Sequence, residues 1–255
     1  MRIPILCYHW FNDAEQPGQS VAPEFGISSA KFSKQMRYLA ENGYTSISVD
    51  DLINYLERDS KLPPRPVLIT FDDGYEDFYR YAYPALRENN LKATVFLITD
   101  YINGSNLWDQ AAGEPPRPIL SWSQIREMSD NGIEFGSHTC SHPSLDLQKA
   151  ETIRRELEDS KKALEDGLGR RVDSIAYPYG NFNRMVKQIA AESGYREAFA
   201  VIRAESDLFD SRRYQLRRAF VHGDETMLAF RLRLTVAALR HQKYACPGSA
   251  GISAC

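Results

Sequence analysis

Two adjacent carboxylates at the end of an apolar run, and two imidazoles four residues apart in a turn, are the side chains in this sequence best suited to chemistry. Pro66-Val67-Leu68-Ile69-Thr70-Phe71 is an apolar, β-branched stretch that runs into Asp72-Asp73-Gly74-Tyr75. That is the pattern of a buried strand that delivers acidic side chains to a sheet edge and then turns. Consecutive strand residues face opposite sides, so Asp72 and Asp73 share one pocket only if the chain leaves the strand there. Gly74 allows such an exit with little strain. Two carboxylates held together repel, and the repulsion is relieved if one binds a cation while the other is kept ready to take a proton. Further on, Gly136-Ser137-His138-Thr139-Cys140-Ser141-His142-Pro143 sets two imidazoles directly after a strand-like run. A spacing of four places both on one face of a helical turn, as metal sites require. Pro143 disfavours helix at His142, so a tight turn is the expected carrier, and Cys140 faces away on it. No glutamate stands between the pair to act as base, which separates it from a His-Glu-x-x-His protease helix. Plainer readings exist for both: Asp-Asp-Gly is ordinary turn chemistry, and turn histidines can serve local hydrogen bonds alone.

The elements that must position these groups alternate. Ile3 to Tyr8 reads as a first strand with His9 and Trp10 at its C-terminal end, followed by a loop from Asn12 to Gly26 that holds Pro17, Gly18 and Pro23. Ser28 or Ser29 caps a helix to about Asn42, with Phe32, Met36 and Leu39 on one face and Gly43 as its stop. Strands are expected at Tyr44 to Val49, Ala93 to Thr99, Ile133 to Gly136, Ser174 to Tyr177 and Glu197 to Ile202. Helices are expected at Asp50 to Arg58, Glu76 to Asn89, Trp122 to Asn131, Glu151 to Leu168, Arg184 to Ser193 and Glu225 to Leu234. Asp100 to Leu120 is an insertion too long for a bare connection, with Trp108 inside it. This rhythm argues for one parallel α/β sheet, closed or open, spanning residues 1–240 as a single domain, with 241–255 as a frayed tail. In such folds chemistry gathers beyond the carboxyl ends of the strands. His9, Asp72, Asp73, His138 and Tyr179 all fall there.

Composition removes several classes. With 43% hydrophobic and 25% charged residues the chain has the make-up of a soluble globular protein. A net charge of -3 and the lack of a basic stripe argue against nucleic acid as a partner. No apolar run approaches the roughly 18 residues of a membrane span, and Met1 to Leu6 is too short for a signal-peptide core. The expectation is a cytoplasmic chain, or a mature or trimmed form of an exported one. Four cysteines without Cys-x-x-Cys spacing make a structural zinc site or a disulfide framework unexpected. Oligomeric state stays open.

Together the motifs resemble the polysaccharide deacetylases of carbohydrate esterase family four. Thr70-Phe71-Asp72-Asp73-Gly74 matches the family's first motif, and His138-Thr139-Cys140-Ser141-His142-Pro143 matches the second in full. Ala176-Tyr177-Pro178-Tyr179 stands where the third has Arg-x-Pro-Tyr. With Tyr8-His9 and the Ala-Tyr-Pro-Tyr-Gly form, the chain is most similar to the branch that deacetylates poly-β-1,6-N-acetylglucosamine. The resemblance implies a distorted, incomplete β/α barrel of parallel strands. It also implies a divalent metal held by Asp73, His138 and His142, zinc foremost, with cobalt, nickel or iron compatible with two nitrogens and one oxygen. It further implies an acetylated glycan as substrate, Asp72 as the base that takes a proton from water, and the backbone N–H of Tyr179 as part of the oxyanion site. The family acts mostly outside the cytoplasm.

The third motif departs from the family, because its arginine, which orients the catalytic aspartate, is Ala176 here. Asp72 must then be placed by something else or have a higher pKa; Arg217 or Arg218 is available to substitute, although both are expected at the surface. The general acid has no clean motif, so His222, in Phe220-Val221-His222-Gly223-Asp224, and His9 compete for it, with Asp72 itself as a third route. Tyr75, Trp108, Trp122 and Tyr179 are candidate sugar platforms, although packing is the commoner fate of such rings. The reading is an N-deacetylase of N-acetylglucosamine-containing polysaccharide. Its alternatives are an O-acetyl xylan-type esterase and a non-catalytic carbohydrate-binding module on the same fold.

Overall fold

Short apolar strands and amphipathic helices wind into a parallel barrel in the computed structural model, which describes residues 3–13, 20–58, 60–110, 112–201 and 213–240. Seven strands close the ring: β1 (Ile5–Tyr8), β5 (Pro66–Phe71), β6 (Thr94–Leu97), β7 (Glu134–Ser137), β8 (Ser174–Ala176), β9 (Glu197–Val201) and β10 (Leu216–Phe220), with β1 paired to both β10 and β5. This is the β/α barrel the sequence implied, incomplete by one strand. Its distortion has a specific origin. An eighth strand, β4 (Thr45–Ile47), pairs with Pro66 to Leu68 along the first half of one edge of β5, while β6 pairs with Thr70 and Phe71 along the second half. Strands β2 (Trp10–Phe11) and β3 (Gly26–Ile27) form a separate parallel pair.

The two-residue period of a strand divides the ring into an inner and an outer set. Ile5, Leu68, Phe96, Ala176, Phe199 and Leu216 share one buried cluster that fills the barrel. Leu6, Ile69, Val95, Phe135, Ile175 and Ala198 belong to the other cluster, which packs under the helices. Helix α1 (Ser29–Glu41) shows how local rules serve this core: the Ser28 side chain accepts from the Lys31 N–H at its start, and Phe32, Met36 and Leu39 are buried. Each of those side chains contributes roughly 1.5–3 kcal/mol by leaving water.

Element boundaries agree with the sequence reading to within a few residues for α2 (Val49–Arg58), α5 (Trp122–Asp130), α6 (Ala150–Leu168) and α7 (Arg184–Glu192). The last helix, α8 (Met227–Arg240), starts later and runs longer than expected. The helix expected from Glu76 to Asn89 is different in kind. A π-helical turn covers Phe78–Ala82, where the Tyr83 N–H donates to the Phe78 carbonyl, and only then does α3 (Tyr83–Glu88) begin. Pro84 has no N–H to continue the regular ladder, and the widened turn precedes it. The tail at 241–255, with Cys246 and Cys255, lies outside the described residues, as does Ile202. Among the described residues no helix is long and apolar enough to cross a membrane.

Candidate metal centre and its catalytic pair

Extending the inner register past the strand ends brings the candidate residues together. On β1, Ile5, Cys7 and His9 share one side; on β5, Leu68, Thr70 and Asp72; on β7, Gly136 and His138; on β10, Leu216 and Arg218. Asp73, one residue further, would face outward if the strand continued. Instead Asp73 takes a left-handed backbone at φ 70°, Gly74 follows at φ 76°, and the Gly74 N–H closes a tight turn onto the Asp72 carbonyl at 2.9 Å. Both carboxylates therefore enter one pocket, as the sequence required. A side chain on Gly74 would meet Leu97 as well as the positive φ.

Asp73 Oδ1 lies 3.4 Å from His138 Nε2 and 3.6 Å from His142 Nε2, and one ligand atom from each residue falls within 4.8 Å of the others. The tautomer of His138 follows from its other nitrogen: Nδ1 sits 2.7 Å from the Ala176 carbonyl, which can only accept, so Nδ1 carries the proton and Nε2 presents a lone pair. Burial holds both imidazoles neutral, lowering His138 and driving His142 well down, where His138 adds to the effect. The Nε2 lone pair of His138 thus points at Asp73 Oδ1, a buried atom without a hydrogen-bond partner, and His142 Nδ1 is likewise buried without one. Burial, and then the charge of Asp72, push the Asp73 carboxyl well above its usual range. Two imidazole nitrogens and one carboxylate oxygen that converge on one point, with buried polar atoms left without partners, fit a divalent transition-metal cation. Cys140 sends its Sγ toward the Glu156 carbonyl at 3.6 Å on α6, away from this group.

Asp72 is held differently. Arg218, fully buried at 0% exposure, was expected at the surface; it lies inside the barrel and grips Asp72 bidentately, Nη1 to Oδ1 and Nη2 to Oδ2, each at 2.6 Å. Nη1 also donates to Thr70 Oγ1 at 3.2 Å, and the guanidinium lies over the Phe96 ring. Burial alone would raise the Asp72 carboxyl, but Arg218, with smaller help from His138 and His9, holds it well below the usual carboxylate range. The arginine missing from the third motif is thus supplied from β10. A sequence signal existed: in Leu216-Arg217-Arg218-Ala219-Phe220 the alternation puts Arg218 with the inward-facing Leu216. The partly buried Arg217 donates to the Val201 carbonyl instead.

The remaining candidates separate. His9 is partly buried, its Nε2 4.0 Å from Asp72 Oδ2, and its pKa is lowered to about 4, chiefly by burial. Cys7 Sγ donates to Asp72 Oδ2 from below at 3.5 Å. His222 is exposed, its ring edge-on to Phe220, and makes no contact with Asp72 or Asp73. Tyr179 is 47% exposed with a left-handed backbone, and its ring lies 4.6 Å from that of His142. Trp108 approaches the same imidazole at 5.7 Å. It is carried there by the short helix α4 (Leu107–Gln110) in the 100–120 insertion, which is tied down by Leu120 N–H to Gly74 and Glu76 N–H to Pro118. Tyr75 is 1% exposed between Trp10 and Trp108, so it builds the wall and has no open face for a sugar. Trp122 packs on α6 at Gly167, where a Cβ would strike its ring.

The fold is that of a parallel β/α-barrel protein, with Asp73, His138 and His142 as a candidate cation site at the C-terminal mouth of its strands. Residues 59–198 match the polysaccharide deacetylase family model, and the chain belongs to that family. It is 31% identical over 195 residues to the protein YxkH of Bacillus subtilis (strain 168), covering 76% of this chain and 63% of that one. It is 28% identical over 186 residues to the poly-β-1,6-N-acetyl-D-glucosamine N-deacetylase of Staphylococcus aureus (strain MRSA252), covering 69% and 61%. The chain thus spans somewhat over three-fifths of the length of these relatives. The solved structure of the Streptococcus pyogenes deacetylase PplD in complex with acetate superposes with a TM-score of 0.77 at 26% identity, covering 92% of this chain and 98% of that one.

Proposed function

We propose that this chain is a metal-dependent hydrolase that removes N-acetyl groups from N-acetylglucosamine-containing polysaccharide. The observation that carries this reading is the meeting of Asp73 Oδ1, which has no hydrogen-bond partner, with two imidazole nitrogens at 3.4 and 3.6 Å, beside an ionised Asp72. Asp73, His138 and His142 would hold a divalent cation, zinc foremost, which when bound would supply Lewis-acid activation of water and of the acetyl carbonyl. Arg218 keeps Asp72 ionised and fixed in orientation, so that it takes the proton released when water adds to the amide carbon. The proton that Asp72 has taken is handed on through His9, whose Nε2 lies 4.0 Å from Asp72 Oδ2, to the departing amine, which leaves acetate, a free glucosamine nitrogen and an ionised Asp72. The half-exposed ring of Tyr179 offers a face to the sugar beside His142. The feature that favoured a non-catalytic module, alanine at 176, loses its weight because Arg218 does that arginine's work from another strand.

The test is acetate release from β-linked N-acetylglucosamine oligomers of differing linkage, and from acetylated xylan, after stripping the protein of cations and adding back zinc, cobalt, nickel or iron singly. Release from the amide substrate with at least one ion, and none after stripping, is expected. Release from xylan alone would move the assignment to an esterase. No release with any ion, on a protein that still binds glycan, would favour the module.

The two candidate acids are separated by alanine substitution. His9→Ala is expected to lower turnover about a hundredfold, and His222→Ala to leave it within about twofold, since His222 is exposed and packs on Phe220 while His9 lies 4.0 Å from Asp72. The reverse ranking, measured as kcat on the metal-loaded protein, would return the role to His222.

A further inference from the structure

Between its imidazoles the turn His138 to His142 is in an unfavourable conformation. Thr139 has φ 72° and His142 φ 64°, and a β-branched residue enters the left-handed region only when its surroundings force it there. Part of the restraint is internal: Thr139 N–H donates to Ser137 Oγ at 3.1 Å, and His142 N–H to Thr139 Oγ1 at 3.0 Å. From outside, the Thr99 and Asp100 N–H groups donate to the Thr139 and Cys140 carbonyls at 3.2 and 3.1 Å, and the turn's own N–H groups are taken by one side chain of α6. Glu156, 3% exposed, accepts the Cys140 and Ser141 N–H groups on Oε2, both at 2.9 Å, and the Ser141 hydroxyl on Oε1 at 2.8 Å. Helix α6 is in turn fixed to the barrel where Ser160 meets Ser137 at 2.8 Å.

We propose that Glu156 is a positioning residue for the cation ligands: its carboxylate locks the turn so that His138 and His142 already present Nε2 to Asp73 before a cation arrives. This rests on the reading of Asp73, His138 and His142 as the ligands. Without the carboxylate, two N–H donors in the turn lose their acceptor, Thr139 relaxes toward conformations it prefers, and His142 moves off the shared point. What matters is reach, since the acceptor must span from α6 to two consecutive amides. Glutamine has that reach without the charge, its carbonyl taking both N–H groups and its amide donating to Ser141 Oγ. Aspartate keeps the charge but falls one methylene short.

The experiment is a zinc titration of the stripped full chain against a chromophoric chelator, with Asp73→Ala as the blank and circular dichroism on each variant. Glu156→Gln is expected to bind zinc within about threefold of the parent, while Glu156→Ala and Glu156→Asp weaken it roughly 10–100-fold, each with the parent's helical signal. If Glu156→Ala fails to fold, the glutamine and aspartate variants decide on their own. Parent-like affinity in Glu156→Asp, or a loss in a folded Glu156→Gln as great as in aspartate, overturns the proposal. A parent that binds no more zinc than Asp73→Ala overturns the ligand assignment itself, which is a separate result from a parent that binds while Glu156 proves dispensable.

Discussion

Asp73→Ala is expected to lose both the bound cation and acetate release, the latter by at least about a thousandfold, or roughly 4 kcal/mol of transition-state stabilisation, while becoming more stable than the stripped parent. The two effects share a cause. Without a cation, Asp73 is a buried carboxyl that burial and the charge of Asp72 both penalise, with no hydrogen-bond partner on Oδ1. Deleting it removes a buried, poorly satisfied polar group as well as a ligand. The parent should therefore melt at a temperature that rises with added zinc, because a ligand that binds only the folded state stabilises it by mass action. Asp73→Ala should melt above the stripped parent and ignore zinc. Asp72→Asn completes the comparison: it keeps the ligands, so metal content stays near that of the parent while turnover falls about 10²–10⁴-fold with the loss of the base. Equal metal content in Asp73→Ala and the parent, by elemental analysis after dialysis, would show that the cation sits elsewhere.

Most of this site was legible in the sequence because its members are local. Asp72, Asp73 and Gly74 are consecutive, and the need for a turn between the carboxylates followed from strand parity alone. His138 and His142 lie in one motif, at a spacing that restricts the shapes able to join them. What was not legible depends on ring closure. Arg218 meets Asp72 only because β10 returns to β1 and β1 to β5, which a single strand's pattern does not reveal. A second arginine beside it made the surface reading natural. Tyr75 failed as a platform for a similar reason, since its burial is made by Trp10 and by the 100–120 insertion, far away in the chain. Glu156 lies among the many charged residues of α6, and the period that buries Ile153, Leu157, Ser160 and Leu164 carries it inward with them.

Arg218→Met is expected to cost about 3–5 kcal/mol of stability at pH 7, the range for leaving one member of a buried ion pair without its partner, and to cost less as the pH falls. The direction follows from Asp72. In the parent its carboxyl lies below the unfolded value of about 3.9, so it contributes stability that is present above that value and is lost as the pH falls toward the folded one. Burial is the largest single influence on Asp72, and without the guanidinium that outweighs it the carboxyl rises above its unfolded value. The charged form then opposes folding at neutral pH, and that opposition fades as the pH drops through the raised value toward 3.9. Urea unfolding at pH 7 and pH 4.5 should therefore show a larger gap between variant and parent at pH 7. The acid limb of the activity profile should move to higher pH in the same variant, because Asp72 must be ionised to take a proton. Asp72→Leu combined with Arg218→Met removes both charges and should recover most of the lost stability while remaining inactive, since a buried ion pair often contributes little over apolar residues of similar volume. A stability gap that does not change with pH, or a double variant no more stable than Arg218→Met alone, would mean that Arg218 serves the barrel interior as packing against Phe96 and Phe199 and not as the counter-charge of Asp72.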